Sequence, residues 1–118
     1  MTLNGRDAEE VAQSLARERL RVTDHIAALQ RDFDGVVEAS ESSNADDEHD
    51  PEGATIAFER AQIAAMLANS KARLDAVDRA IERLDRGTYG RCDVCGEDIA
   101  AERLTARPTA TTCVRCMS

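Results

Sequence analysis

With 118 residues and a formal net charge of −8, the chain suits one compact domain, or one elongated element with a small module attached. It is too acidic for any sequence-wide attraction to DNA, RNA or an anionic membrane. Only three of its side chains are aromatic, Phe33, Phe58 and Tyr89, which argues against a thick globular core; Ala, Leu, Ile and Val beside many Arg, Asp and Glu make the composition of long packed helices.

From Met1 to Glu10 there is no basic leader followed by an apolar stretch, so this segment does not read as a secretory signal. No later run approaches the ~18 apolar residues of a membrane span. The expectation is a cytoplasmic protein that engages no membrane, in a compartment where paired thiols are metal ligands more often than disulfides.

The first predicted element is a helix. Leu15, Val22, Leu29 and Val36 recur at a spacing of seven and interleave with Ala12, Arg19, Ile26 and Phe33, so apolar side chains alternate three and four apart. Arg19 breaks this stripe. His25 lies beside it and reads as a surface residue.

The second predicted element is an acidic, Ser-rich tip loop around residues 35–53. From Asp32 to Glu59 there are ten acidic residues and no Lys or Arg. Such a segment reads either as a solvated linker or as the working end of a paired helical rod, with arms of ~30 residues, about 45 Å each. His49 lies among these carboxylates.

A second helix follows, with Ile56, Ile63, Ser70, Val77 and Leu84 interleaved with Leu67, Leu74 and Ile81. Asp50 is placed to cap it and Pro51 to open its first turn, while Gly87 stands where a C-terminal cap belongs and Gly90 makes a further break. Two long helices joined by one loop predict an antiparallel coiled-coil hairpin over residues 1–87, with a separate module over 88–118.

That module contains all four cysteines. Cys92-Asp93-Val94-Cys95 and Cys113-Val114-Arg115-Cys116 give two Cys-x2-Cys pairs separated by seventeen residues. A two-residue gap lets both thiolates of a pair face one ion, and Gly96 permits the tight turn whose amides point at sulfur. Four thiolates complete a tetrahedron around one structural zinc ion and leave no position for a catalytic water. A redox dithiol or a labile zinc-thiolate switch competes with this reading, but no base such as His adjoins the cysteines. No nucleophile-base pair or open metal site is visible, so no enzyme is expected.

An acidic-tipped hairpin followed by Tyr89-Gly90-Arg91-Cys92-Asp93-Val94-Cys95-Gly96-Glu97-Asp98-Ile99, and then by Arg103-Leu104-Thr105-Ala106-Arg107-Pro108-Thr109-Ala110, resembles the DksA/TraR family of C4-type zinc-finger proteins. The likeness is close over residues 46–118 and holds only in kind for the first helix. It implies a transcription regulator that binds RNA polymerase, inserting its coiled-coil tip into the secondary channel, with no sequence-specific DNA binding of its own. A channel that admits anionic nucleotides also draws in an acidic rod.

The resemblance implies a tip motif Asp-x-x-Asp-x-Ala/Thr. Here Asp50 and Thr55 stand for its first and last members, but Gly53 occupies the second Asp position; Asp46, Asp47, Glu48 and Glu52 are the carboxylates available as substitutes. Basic residues that help some relatives hold ppGpp have no clear counterparts, Asn69 and Ala76 standing at those positions, so weak or absent ppGpp synergy is expected. Arg91, Arg103, Arg107 and Arg115 give the zinc module a basic character, which serves either to offset Asp93, Glu97, Asp98 and Glu102 or to contact the polymerase rim. Two other classes stay open: a zinc or thiol redox sensor, and a structural coiled-coil protein that self-associates through its stripes.

Overall fold

The computed structural model describes residues 5–43 and 51–117, excluding the side chains of 6, 40, 42, 43 and 51–53. The protein is mainly α-helical: α1 spans Gly5–Ser43, α2 spans Pro51–Arg86 and a short α3 spans Ala101–Ala106. Among the described residues the only sheet-like pairing is an isolated bridge between Arg91 and Asp98. None of the helices is long and apolar enough to cross a membrane.

The chain divides into two compact units, one of Met1–Leu20 with Leu74–Ser118 and one of Arg21–Arg73. In the first, Leu15 of α1 and Ala80 of α2 share a buried cluster, and Arg19 meets Asp78, so numbering rises along α1 as it falls along α2. In the second, Val22 and Leu29 of α1 and Leu67 of α2 are buried, and a shallow groove has Gly35, Val36 and Ala39 on one side and Ile56, Glu59 and Ile63 on the other. The expected helical hairpin is present.

The stripes pack unevenly. Leu15, Val22 and Leu29 are buried as their spacing requires, yet Ala12 and Arg19 are exposed and Val11 is half-buried against the core instead. A straight helix with 3.6 residues per turn drifts about 20° per heptad against a repeat of seven, which turns residue 12 away and brings residue 11 round. Arg19 lies outside the seam, its Nε 2.8 Å from a carboxylate oxygen of Asp78.

Residues 35–43 and 51–53, expected within the tip loop, are helical instead, because α1 continues to Ser43 and α2 begins at Pro51. One glycine costs a helix only about 1 kcal/mol, and Val36 and Val37, half-buried just beyond Gly35, help to offset that. Pro51 opens α2 as expected, where its missing amide costs nothing. Asp46, Asp47, Glu48, His49 and Asp50 lie outside the described residues.

The C-terminal end of α2 follows its sequence. Gly87 takes φ +78°, its amide donates to the Leu84 carbonyl, and the Thr88 amide donates to that of Arg83 at 2.9 Å. These are the two bonds of a Schellman cap, and they turn the chain into the cysteine module.

Candidate metal centre

Each cysteine pair sits on a tight turn. The Gly96 amide donates to the Cys92 carbonyl at 3.0 Å with Gly96 at φ +73°, and the amides of Cys116 and Met117 both donate to the Cys113 carbonyl. The second turn closes without glycine, through Met117. Two further amides pin the first knuckle: Cys92 donates to Glu97, and Asp93 donates to Thr111, each at 2.8 Å.

Beneath the knuckles lies the module's core. Tyr89, Cys92, Ile99, Leu104 and Cys113 are buried together with Leu15 of α1 and Ala80 of α2. The finger therefore packs on the hairpin's base, and the turn at Gly87 to Gly90 redirects the chain without separating the cores. Gly90 has φ +86°, and a Cβ there would stand 3.3 Å from Leu104 Cδ1, so only glycine fits without strain.

Tyr89 donates its hydroxyl hydrogen to the Pro108 carbonyl at 2.8 Å, tying the α2 exit to the segment before the second knuckle. Burial raises the pKa of this phenol, and the charge of Arg83 pulls it the other way. Arg83 is half-buried, and its Nη2 has no hydrogen-bond partner among the described residues.

The four Sγ atoms lie within 4.8 Å of one another, and Cys95 and Cys113 are 3.8 Å apart at sulfur. A tetrahedron with Zn–S bonds of ~2.3 Å has edges of about 3.8 Å, so the donor set fits one zinc ion. All four thiols are free, and that spacing is far beyond an S–S bond of ~2.05 Å.

The electrostatics point the same way. The Cys95 amide, and after it the Cys113 amide, donate toward the Cys92 sulfur and bring its pKa down to about 6. Cys116 is pushed up to about 12, chiefly by its hydrogen bonds with the sulfurs of Cys113 and Cys95. Four adjacent sulfurs cannot all ionise without a cation, and a divalent ion stabilises all four as thiolates. The site is a C4 structural zinc centre, and the zinc supplies cross-linking of the two knuckles.

The other candidate residues are scattered. Arg91, Arg107 and Arg115 are exposed, whereas Arg103 is half-buried and donates from Nε to the Thr112 carbonyl at 2.9 Å, bracing the approach to Cys113. Thr55 is exposed on α2, and Glu52 is in its first turn with its side chain outside the described set. Asn69 is exposed, Ala76 half-buried and His25 exposed. The heptad stripes miss the buried position Ala80 and the half-buried Val11, because neither falls on them; the i, i+3 relation of Ala80 to Val77 is the signal that marks it.

Residues 87–117 match the family described as "Prokaryotic dksA/traR C4-type zinc finger". Among curated proteins, the chain is similar to "Uncharacterized protein YteA" of Bacillus subtilis, with 38% identity over 66 residues, 56% of this chain and 28% of that protein. It is also similar to "RNA polymerase-binding transcription factor DksA" of Haemophilus influenzae, with 45% identity over 40 residues, 34% of this chain and 28% of that protein. Each match thus spans less than a third of the relative's length. Among solved structures, "Structure of transcription factor DksA2 from Pseudomonas aeruginosa" superposes with a TM-score of 0.82 at 28% identity, covering 95% of this chain and 81% of that one.

Proposed function

This chain belongs to the DksA/TraR family of C4-type zinc-finger proteins, and on that premise we propose that it regulates transcription by binding RNA polymerase. The observation that carries the proposal is the likeness in fold to DksA2 over 95% of this chain, with the zinc centre seated at the base of the helical pair. In this reading residues 1–87 form the delivering hairpin and 88–118 the zinc module that anchors it. The acidic tip around 35–53 enters the secondary channel, where Asp46, Asp47, Glu48, Asp50, Glu52 and Thr55 are its working residues. Arg91, Arg107 and Arg115 stay outside against the rim, and Arg103 is kept for internal bracing. In this reading the chain catalyses nothing itself and shows weak or absent synergy with ppGpp.

Core RNA polymerase should retain the purified protein at low salt, and a crosslinker at Thr55 should label residues lining the secondary channel. Neutralising Asp46, Asp47, Glu48, Asp50 and Glu52 together should abolish the effect on transcription while leaving the zinc content unchanged. Failure of the wild-type protein to bind at low salt would sink the proposal. A thiol-sensing reading has one observation in its favour, the exposure of Cys95 in the cluster. It requires reversible zinc loss at modest peroxide, which a purely structural centre resists while folded.

A further inference from the structure

The second unit, Arg21–Arg73, packs unevenly along its length. Its buried apolar side chains are Val22 and Leu29 of α1 and Leu67 of α2, and among the described residues none is buried after Leu29 on α1 or before Leu67 on α2. Phe33, Val36, Val37, Ile56 and Ile63, the apolar side chains placed to continue the seam, are only half-buried. Between the helices at this level runs a shallow groove of about 440 Å³, with Gly35, Val36 and Ala39 on one side and Ile56 and Ile63 on the other.

Backbone and charge act on the same stretch. Gly35 stands inside α1, and a Cβ built on it meets nothing within 4 Å, so packing does not demand glycine there. Its effect is to weaken the helix, because glycine gives up more conformational freedom on folding than alanine does. The last turn of α1 contains no base and does contain Glu41, a carboxylate beside the negative end of the helix dipole. The ten acidic residues from Asp32 to Glu59 have no Lys or Arg among them, and Asp32 and Glu59 border the groove from opposite helices. Pairing this end of the hairpin therefore works against its own charge. Sparse burial, a weakened helix and like charge each lower the free energy of opening, and they coincide on one segment.

We propose that residues 35–43 with 54–63 form a separate opening unit of the hairpin, one that unpairs while Val22, Leu29 and Leu67 stay packed and that closes when cations screen its carboxylates. Low ionic strength favours the open state and positive surroundings favour the closed one, since only the closed state brings the two acidic arms together. This opening is a property of the free chain and does not depend on the polymerase reading; within that reading, closure of the tip becomes part of engagement.

Hydrogen exchange on the full zinc-loaded chain, followed by NMR and corrected for intrinsic rates, tests this. Amides within 36–43 and 54–63 should exchange at least ~10-fold faster than those within 22–34 and 64–73. Raising NaCl from ~0.02 M to ~0.5 M should slow the first set severalfold against the second, which serves as the internal reference. Gly35→Ala and Glu41→Lys should each slow the first set about two- to fivefold with little change at 22–34. Both substitutions favour helix, so neither endangers the fold. Exchange that rises smoothly toward the tip with no step near Gly35, equal protection of the two sets, or a difference indifferent to salt would overturn the proposal. Failure of polymerase to retain the protein would leave these results, measured on the free chain, untouched.

Discussion

Cys92 is held by two backbone amides, and this makes zinc uptake depend on pH in a specified way. Its pKa of about 6 means that the metal-free site already holds one thiolate above that pH, while Cys116, at about 12, is protonated throughout the neutral range. Zinc must displace the protons that remain. Affinity should fall as pH falls, and fall more steeply below about pH 6, where Cys92 must also surrender a proton. Competition with a chromophoric chelator between about pH 5 and 8 measures this; a constant slope through that range would refute it. The identity of the four ligands is legible in the order of residues, since a Cys-x2-Cys turn is built by consecutive positions. The inequality among them is not, because the amides that lower Cys92 come from Cys95 and, across the site, from Cys113, while Cys113 is itself lowered chiefly by the Cys116 amide.

At the scale of elements, α1 contrasts two kinds of helix contact. Leu15 is fully buried in the cluster joining α1, α2 and the finger, and truncating it to Ala removes transfer energy and leaves a cavity, about 2–5 kcal/mol. Arg19 and Asp78 form a close ion pair whose side chains are 48% and 43% exposed, a setting in which water and salt reduce the gain to ~0.2–1 kcal/mol. Chemical denaturation should therefore show Leu15→Ala as severely destabilised and Arg19→Ala as close to wild type, with the latter difference vanishing at high salt. Comparable losses would contradict the assignment of Leu15 to the core and Arg19 to the surface. Heptad spacing identifies Leu15, Val22, Leu29, Leu67 and Val77 as core because burial on a paired helix follows the period. It misplaces Ala12 and passes over Val11 and Ala80, because those positions answer to helix drift and to the finger packed on α2.

For the whole molecule, the shared cluster links metal to fold. Cys92 and Cys113 are buried beside Leu15 and Ala80, so zinc removal should loosen the first turns of α1 and the last turns of α2 together with the finger. Hydrogen exchange with and without a chelator should show amides within 8–20 and 74–86 losing protection along with those of 88–117, while amides within 21–43 and 54–73 change little. Loss confined to 88–117 would make the finger an independent domain.

By itself the sequence determined the features that are local or periodic. These are the two cysteine knuckles, the glycine cap that ends α2, the two helices with their principal seam residues, and the acidic excess between them. Each depends on neighbours within one or two turns, so the order of residues suffices. The tertiary structure alone decided that Arg103 is spent on the Thr112 carbonyl and that Tyr89 locks onto Pro108. These contacts join residues far apart in the chain, and their energy exists only once burial and the zinc knuckles have brought those segments together.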